Sequence, residues 1–191
     1  LRLELVAVPP EQLVARLDDF LGDRLRVGGR TAVVAPGVTP RVAFVFSGQG
    51  TQWAGMGRVA YTRNQNFRAR FDALSRRFGE IAGWSLAEAL HADDLAGRLA
   101  SARIAQPLLF AIQASLTDAL EEQGITPALV VGHSVGEIAA AHACGALDED
   151  QALRVIAARS SGQELARGLG TMAALALPEI EARRLIEDSH C

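Results

Sequence analysis

A strand, a tight turn and the start of a helix follow one another in Ala128-Leu129-Val130-Val131-Gly132-His133-Ser134-Val135-Gly136. The first four residues are apolar and run into a glycine, and helical periodicity begins at Gly136. The G-x-S-x-G pattern is typical of a serine exposed on a sharp strand-to-helix turn. We predict that the two glycines keep side chains out of the turn and that the helix N-terminus offers N–H groups to an oxyanion.

A second apolar run, Val42-Ala43-Phe44-Val45-Phe46, stops at Gly48-Gln49-Gly50. Its continuous apolarity predicts a strand buried on both faces. A helical region is expected around residues 67–78, and Ser85 with Glu88 has the spacing of a capping box. The next helix is predicted to have Pro107 as its first residue and Gly124 as its terminator. Its apolar stripe comprises Leu108, Leu109, Ile112, Leu116 and Leu120.

Helices therefore alternate with two strands, since residues 136–143 are helical in pattern and Asp148 with Gln151 marks a further helix start. This order predicts an α/β fold with a parallel sheet, in which sites lie at the carboxyl ends of the strands. Both glycine-rich turns lie there. At the chain ends we expect a helix through Leu13 and Leu17, a connector over residues 28–40, a strand over 171–177 and a helix over 179–187.

Composition excludes several classes of protein. The chain has 191 residues, of which 49% are apolar and 21% charged, with a net charge of −3, which fits a soluble globular chain without a nucleic-acid or membrane-binding face. The two cysteines, Cys144 and Cys191, indicate neither a disulfide framework nor a metal cluster. No apolar run approaches the roughly 20 residues that span a bilayer. The first residues, Leu1-Arg2-Leu3-Glu4, do not have the layout of a signal peptide. We expect a cytoplasmic protein.

Two motifs taken together, FVFSGQGTQWAGMG at residues 44–57 and GHSVGE at residues 132–137, resemble the malonyl-CoA:acyl carrier protein transacylase family. The likeness is strongest to acyltransferase domains of type I modular polyketide synthases. It implies an α/β-hydrolase-like large subdomain with a nucleophile elbow, over residues 41–168. It also implies that residues 1–40 end a ketosynthase-to-acyltransferase linker, and that residues 169–191 begin a ferredoxin-like small subdomain that is truncated here.

The resemblance assigns roles to residues of both turns. Ser134 matches the serine that carries the acyl group. Gln49 matches the residue whose backbone N–H joins that of Val135 in the oxyanion hole. Val135 itself resembles the residue found in malonyl-selecting domains, so malonyl is expected as the extender unit, with methylmalonyl less favoured.

The resemblance also implies substrate-binding residues. Gln106 matches a glutamine that lines the pocket, and Arg159 matches the arginine that pairs with the free carboxylate of the extender unit. Helical spacing supports Arg159 independently, because it shares an apolar stripe with Ala152, Val155 and Ile156, where a charge needs a partner. His133, next to the serine, is expected to pack at the substrate site rather than to act as the base.

In the mechanism that the resemblance implies, the serine takes the acyl group from malonyl-CoA and passes it to the phosphopantetheine of an acyl carrier protein. A ketosynthase is expected as the neighbouring domain. No metal or bound cofactor is required, since coenzyme A enters as part of the substrate. The family's general base is a histidine far C-terminal to the serine. We expect it to be absent from these 191 residues, because His190 lies too early in the chain.

Two alternatives remain open. An α/β-hydrolase esterase or thioesterase also carries G-x-S-x-G, although it would not explain the Gly48-Gln49-Gly50 turn. An inactive, truncated fragment is the second alternative.

Overall fold

The computed structural model describes residues 2–5, 10–22, 29–32, 41–170 and 176–188. The chain divides into two units, Leu1–Arg41 and Val42–Cys191. In the first unit, strand β1 (Arg2–Leu5) pairs antiparallel with β2 (Gly29–Ala32), and helix α1 (Pro10–Leu21) lies between them in sequence. The helix was predicted. The connector prediction was wrong for Gly29–Ala32, because these residues form backbone hydrogen bonds with a strand distant in sequence, which side-chain pattern does not reveal.

The second unit has an α/β fold that is mostly helical around a small parallel sheet. Its strands are β3 (Ala43–Phe46) and β4 (Leu129–Gly132), with Ala43 opposite Leu129 and Phe46 opposite Gly132. The parallel pairing confirms the prediction from strand–helix alternation. The helices are α2 (Arg58–Arg63), α3 (Gln65–Ala82), α4 (Leu86–His91), α5 (Leu95–Arg98), α6 (Ala102–Glu121), α7 (Gly136–Ala143), α8 (Glu149–Leu165) and α9 (Glu179–Asp188).

The sheet is buried on one face only. Phe46 is buried, whereas Val45 is 74% exposed and Leu129 is 59% exposed. The prediction that β3 is buried on both faces was therefore wrong, because helices of the described residues cover only the face that carries Phe46.

Helix α6 lies at the centre of the second unit, with Leu108, Phe110 and Gln106 fully buried. It begins at Ala102, five residues before Pro107, so the prediction of Pro107 as the first helical residue was wrong. The start at Ala102 depends on a residue distant in sequence, because the carboxylate of Glu164 accepts from the backbone N–H groups of Ala102 and Arg103. Leu116 of the predicted stripe is 43% exposed, because the contacts of α6 with α3 and α8 bury other faces of the helix.

Three predicted helix boundaries near the Ser134 turn are confirmed: the start of α7, the start of α8 and the end of α6. Helix α7 covers Gly136–Ala143, as expected from the periodicity. Asp148 and Gln151 form a reciprocal capping box at the start of α8, with hydrogen bonds of 2.8 and 2.9 Å. Gly124 follows α6 with φ 79°, and the N–H of Ile125 donates to the carbonyl of Leu120, which closes the helix in a Schellman motif.

At the C-terminal end, helix α9 confirms the helix predicted over residues 179–187. The strand predicted over residues 171–177 falls largely outside the described residues. Over the described ranges, none of the helices is both long and apolar enough to cross a bilayer.

Candidate active site

The turns that follow β3 and β4 touch each other at the carboxyl end of the sheet. A Cβ atom on Gly48 would lie 2.7 Å from the carbonyl oxygen of His133 and 3.3 Å from Cβ of Ser134. Glycine is therefore required at position 48, because any side chain would push the two turns apart. The parallel pairing of β3 and β4 places these turns side by side, as expected from the strand order.

Ser134 has the left-handed backbone conformation, with φ 55°, and is the one non-glycine residue with positive φ in the described part of the chain. Such a conformation costs a serine about 1–2 kcal/mol. The flanking glycines tolerate no Cβ: at Gly132 it would lie 2.5 Å from the carbonyl carbon of Gly136, and at Gly136 it would lie 2.7 Å from the carbonyl oxygen of Ser47. The turn is thus as tight as the G-x-S-x-G pattern predicted, and Ser134 is exposed on it.

Side chains hold the first turn in shape. The hydroxyl of Thr51 donates to the carbonyl of Gly48 over 2.9 Å and lies 3.0 Å from the hydroxyl of Ser47. From α6, Gln113 Nε2 donates to the carbonyl of Ser47 over 2.9 Å. The turn is anchored to the central helix, which fixes the backbone around Gln49.

A polar network connects the two turns through α6 and α8. Arg159 Nη2 donates to Ser134 Oγ over 3.1 Å, and Arg159 Nη1 donates to Gln106 Oε1 over 2.6 Å. Gln106 Nε2 in turn donates to Gln49 Oε1 over 2.6 Å and also to Gln163 Oε1. The structure thus brings Ser134, Arg159, Gln106 and Gln49 together, although they come from four separate segments.

Arg159 is half-buried and contacts neutral acceptors, whereas Val155 of its predicted apolar stripe is 42% exposed, because the contacts of α8 bury the face that carries Ala152 and Ile156. Its hydrogen-bond partners are Ser134, Gln106 and Gln163, the last at 3.2 Å from Nη1. Throughout residues 41–170 and 176–188, no carboxylate forms an ion pair with it. A partly buried guanidinium without a counterion favours an anionic ligand, and its planar fork suits a carboxylate.

Two backbone N–H groups, one in each turn, are available as donors. In the described residues, neither Val135 N nor Gln49 N donates a hydrogen bond. The side chain of Val135 is buried, so its backbone is held firmly at the start of α7. Backbone donors of this kind are suited to stabilise a developing oxyanion.

No histidine contacts the Ser134 hydroxyl in the part of the chain that the structure describes. The ring of His133 packs against Gly48, where a Cβ atom would lie 2.8 Å from Nδ1. His142 Nε2 accepts from Arg70 over 3.2 Å, and His142 Nδ1 lies 3.2 Å from the carbonyl of Leu147. His91 packs edge-on against Tyr61, with 4.8 Å between ring centroids.

Helix α8 is attached to the start of α6 by Glu164. The Ser101 hydroxyl donates to this carboxylate over 2.8 Å, and the backbone N–H groups of Ala102 and Arg103 also donate to it. The Ser101 hydrogen bond, followed by that of Arg167, holds the pKa of Glu164 below its ordinary value. The carboxylate satisfies the N-terminal donors of α6 in place of an N-cap, and it fixes the end of α8 that carries Arg159 against Gln106.

A groove lies elsewhere on the second unit. It has a volume of about 450 Å³ and is lined by Phe78, Trp84, Arg103 and Arg154 among others. It does not include Ser134. The polar network, rather than this groove, identifies the site, because the network joins the exposed hydroxyl of Ser134 to the guanidinium of Arg159.

The acyl transferase domain family matches residues 43–190. The chain belongs to this family. Similar proteins include the reducing polyketide synthase grgA of a Penicillium species, 38% identical over 86% of the chain, and the pikromycin polyketide synthase component PikAII of Streptomyces venezuelae, 42% identical over 81%. This acyl transferase chain spans only 7% and 4% of the lengths of those two relatives.

Solved structures give the same assignment. The acyltransferase domain from the second module of the salinomycin polyketide synthase is 34% identical, with a TM-score of 0.69 over 98% of this chain and 43% of that one. The malonyl-CoA:ACP transacylase of Synechocystis is also 34% identical, with a TM-score of 0.63 over 78% of this chain and 48% of that one. The family expected from the two motifs is confirmed.

Gln163 was missed by the sequence interpretation. It lies one helical turn after Arg159 on α8 and contacts both Arg159 and Gln106. The i, i+4 spacing from Arg159 was the one available signal, since residues four apart share a helix face.

Proposed function

We propose that Ser134 is the nucleophile of an acyl-transfer site that takes a malonyl-type group from a coenzyme A thioester and delivers it to the phosphopantetheine of an acyl carrier protein. The observation that carries this proposal is the contact between Ser134 Oγ and Arg159 Nη2, a guanidinium with no acidic partner among the described residues. A cation beside the nucleophile can bind the free carboxylate of the acyl group that the serine receives.

The reaction runs in two half-reactions. Ser134 Oγ attacks the thioester carbonyl, the bond from carbonyl carbon to sulfur breaks, and the coenzyme A thiol leaves with the serine proton. The phosphopantetheine thiol then attacks the acyl-serine ester and the bond to Oγ breaks, so that the serine regains a proton. The N–H groups of Gln49 and Val135 are the proposed oxyanion hole in both steps. A covalent intermediate of this kind implies ping-pong kinetics.

The turn geometry supports the proposed nucleophile elbow. Ser134 lies at φ 55° between β4 and α7, which presents its hydroxyl at the end of the sheet. Gln106 and Arg159 are the proposed substrate-binding side chains, and His133 is proposed to line the approach to the serine through its packing against Gly48. We retain residues 1–40 as the proposed end of a ketosynthase linker, and residues 169–191 as the proposed start of a ferredoxin-like subdomain.

We do not assign the general base that activates Ser134 to His91, His133 or His142. His142 is engaged by Arg70 and His91 by Tyr61, and the ring of His133 packs on Gly48 rather than on the serine hydroxyl. The proposal needs a separate general base for turnover, because a serine hydroxyl is a weak nucleophile at neutral pH. It needs neither a metal nor a bound cofactor.

Intact-mass spectrometry tests the proposal. The chain is incubated with malonyl-CoA, and we expect a single malonyl adduct on Ser134 that forms slowly and that Ser134→Ala abolishes. A longer reaction with a phosphopantetheinylated carrier protein should move the adduct to that protein. Rapid hydrolysis of simple esters without any adduct would favour the hydrolase alternative.

Competition between two thioesters tests the proposed extender unit. Malonyl-CoA and methylmalonyl-CoA are offered together, and the adducts are distinguished by mass. We expect malonyl to be favoured, because Val135 resembles the residue of malonyl-selecting domains. The expected advantage is modest, since one methylene changes binding by about 1–3 kcal/mol. A clear excess of methylmalonyl-serine would contradict this assignment.

A further inference from the structure

Gln163 contributes an acceptor to the guanidinium that faces the serine. Its side chain is exposed, it lies one turn after Arg159 on α8, and its Oε1 accepts from Arg159 Nη1 over 3.2 Å. The same oxygen accepts from Gln106 Nε2. Gln163 is therefore an exposed side chain that contacts two polar groups of the site, Arg159 and Gln106.

The orientation of both amides follows from the chemistry of arginine. A guanidinium only donates, so the amide groups of Gln106 and Gln163 turn their oxygens toward Arg159. Nη1 carries two hydrogens, and these two oxygens accept both. Gln106 is fully buried, and its amide nitrogen donates to both Gln49 and Gln163. These hydrogen bonds fix the orientation of its amide group.

The saturation of Nη1 determines which edge of the guanidinium a ligand meets. Nη2 donates to Ser134 Oγ with one hydrogen and has a second, and Nε has no acceptor among the described residues. Nε and Nη2 form the lateral fork of arginine, which can bind a carboxylate through two parallel hydrogen bonds. This fork is the edge next to the nucleophile, and Nε together with the second hydrogen of Nη2 is available to a ligand there.

We propose that Gln163 is a positioning residue that occupies Nη1 of Arg159, directs the Nε/Nη2 fork toward Ser134, and so sets the preference for acyl groups with a free carboxylate. The inference rests on the proposed function. Gln163 acts through Arg159 and touches no reacting atom, so its effect is a change in selectivity rather than a loss of chemistry.

Two variants of similar length test this role. Gln163→Glu places a carboxylate against Arg159 that competes with the substrate, and Gln163→Met removes the acceptor. Calorimetry measures the affinity of each chain for malonyl-CoA and for acetyl-CoA, and intact mass measures the adduct on Ser134. Gln65→Glu is the matched control, because it adds the same charge at an exposed position on α3 outside the network.

We expect Gln163→Glu to lower the affinity for malonyl-CoA by about tenfold or more, since charge-assisted hydrogen bonds contribute about 1.5–3 kcal/mol each. Its affinity for acetyl-CoA should change less than about twofold, because acetyl has no carboxylate to lose. Gln163→Met should lower the ratio of malonyl to acetyl affinity by a smaller factor. Gln163→Glu should melt close to the unaltered chain, because the replaced side chain is exposed and an acceptor remains. Gln163→Met leaves one amide hydrogen of the buried Gln106 without its acceptor, so its affinities are measured well below its melting temperature.

The outcomes separate the two proposals. If the unaltered chain prefers malonyl-CoA and forms the Ser134 adduct, but both variants keep the same ratio of affinities, Gln163 has no positioning role while the proposed function stands. If the unaltered chain binds both thioesters equally, both proposals are overturned. A fall in the ratio for Gln163→Glu but not for Gln65→Glu supports the positioning role.

Discussion

Arg159 Nη2 donates a hydrogen bond of 3.1 Å to the hydroxyl oxygen of Ser134, a residue 25 positions earlier in the chain. A permanently charged donor at this distance stabilises negative charge on Oγ. In the proposed reaction, the same guanidinium binds the free carboxylate of the malonyl group. One arginine can therefore serve the nucleophile before acylation and the acyl group after it.

Replacing Arg159 should change selectivity. We expect Arg159→Ala to lower the rate of Ser134 malonylation at least about tenfold, because charge-assisted hydrogen bonds of about 1.5–3 kcal/mol each are lost. Acetylation should fall much less, and Arg159→Lys should rescue little, because a point charge does not reproduce the planar fork. Adduct formation from each thioester measures both rates. An equal fall in both would instead make Arg159 a support for the fold.

Arg159→Ala should also destabilise the chain. It leaves Oε1 of the fully buried Gln106 without its charged donor, and an unsatisfied buried acceptor costs about 1–3 kcal/mol. Chemical denaturation followed by circular dichroism measures the free energy of unfolding. An unchanged value would show that Gln106 finds another partner.

The backbone strain at Ser134 predicts that the Ser134→Gly variant is more stable than the Ser134→Ala variant. Ser134→Gly and Ser134→Ala both remove the hydroxyl, so both should abolish the adduct. Only glycine relieves the positive φ of 55°, and we expect it to exceed alanine by about 1 kcal/mol in free energy of unfolding. Equal stability of the two variants would show that the turn relaxes without cost.

The contact between the two turns makes Gly48 sensitive to substitution. Gly48→Ala places a methyl group 2.7 Å from the carbonyl oxygen of His133, and overpacking of this kind costs about 1–3 kcal/mol. Gly162→Ala is the matched control on α8, where a Cβ atom meets nothing within 4 Å, so helix propensity should stabilise it by about 0.5–1 kcal/mol. Thermal melting of both variants measures the change in stability, which should be a loss for Gly48→Ala and a gain for Gly162→Ala.

Acid should weaken the junction between α6 and α8. The pKa of Glu164 is lowered, first by the Ser101 hydroxyl, so its stabilising contribution is present above its ordinary value and is lost as pH falls through the lower folded-state value. We expect Glu164→Gln to reduce the slope of unfolding free energy against pH below about 4.5. Glu121→Gln, at an exposed position near the end of α6, should leave that slope nearly unchanged. If the unaltered chain, Glu164→Gln and Glu121→Gln all show the same slope, the Glu164 carboxylate does not stabilise the junction between α6 and α8.

A base added in solution should accelerate acylation of Ser134. Since no histidine of the described residues contacts the Ser134 hydroxyl, we expect added imidazole to accelerate formation of the malonyl-serine adduct in a concentration-dependent way. Ser134→Ala with imidazole controls for modification elsewhere. A fast rate that imidazole does not change would mean that the chain already supplies a base.

Local sequence determined the elements that position the serine. Four of these elements follow from short-range hydrogen bonding and periodicity, which neighbouring residues specify. They are the strand before Gly132, the helix over residues 136–143, the capping box of Asp148 and Gln151, and the end of α6 at Gly124. The two motifs at residues 44–57 and 132–137 were enough to indicate the family.

Only the tertiary structure decided how the network closes. Gln163 meets Gln106 because Glu164 fastens α8 to the start of α6, a contact between residues far apart in sequence. Three further features depend on segments that are distant in sequence. They are the exposure of one face of β3, the strand at Gly29–Ala32 and the position of Pro107 inside helix α6. Local pattern carries no information on these, because burial and pairing are set by which segments meet in space, and that is settled by the packing of the whole unit.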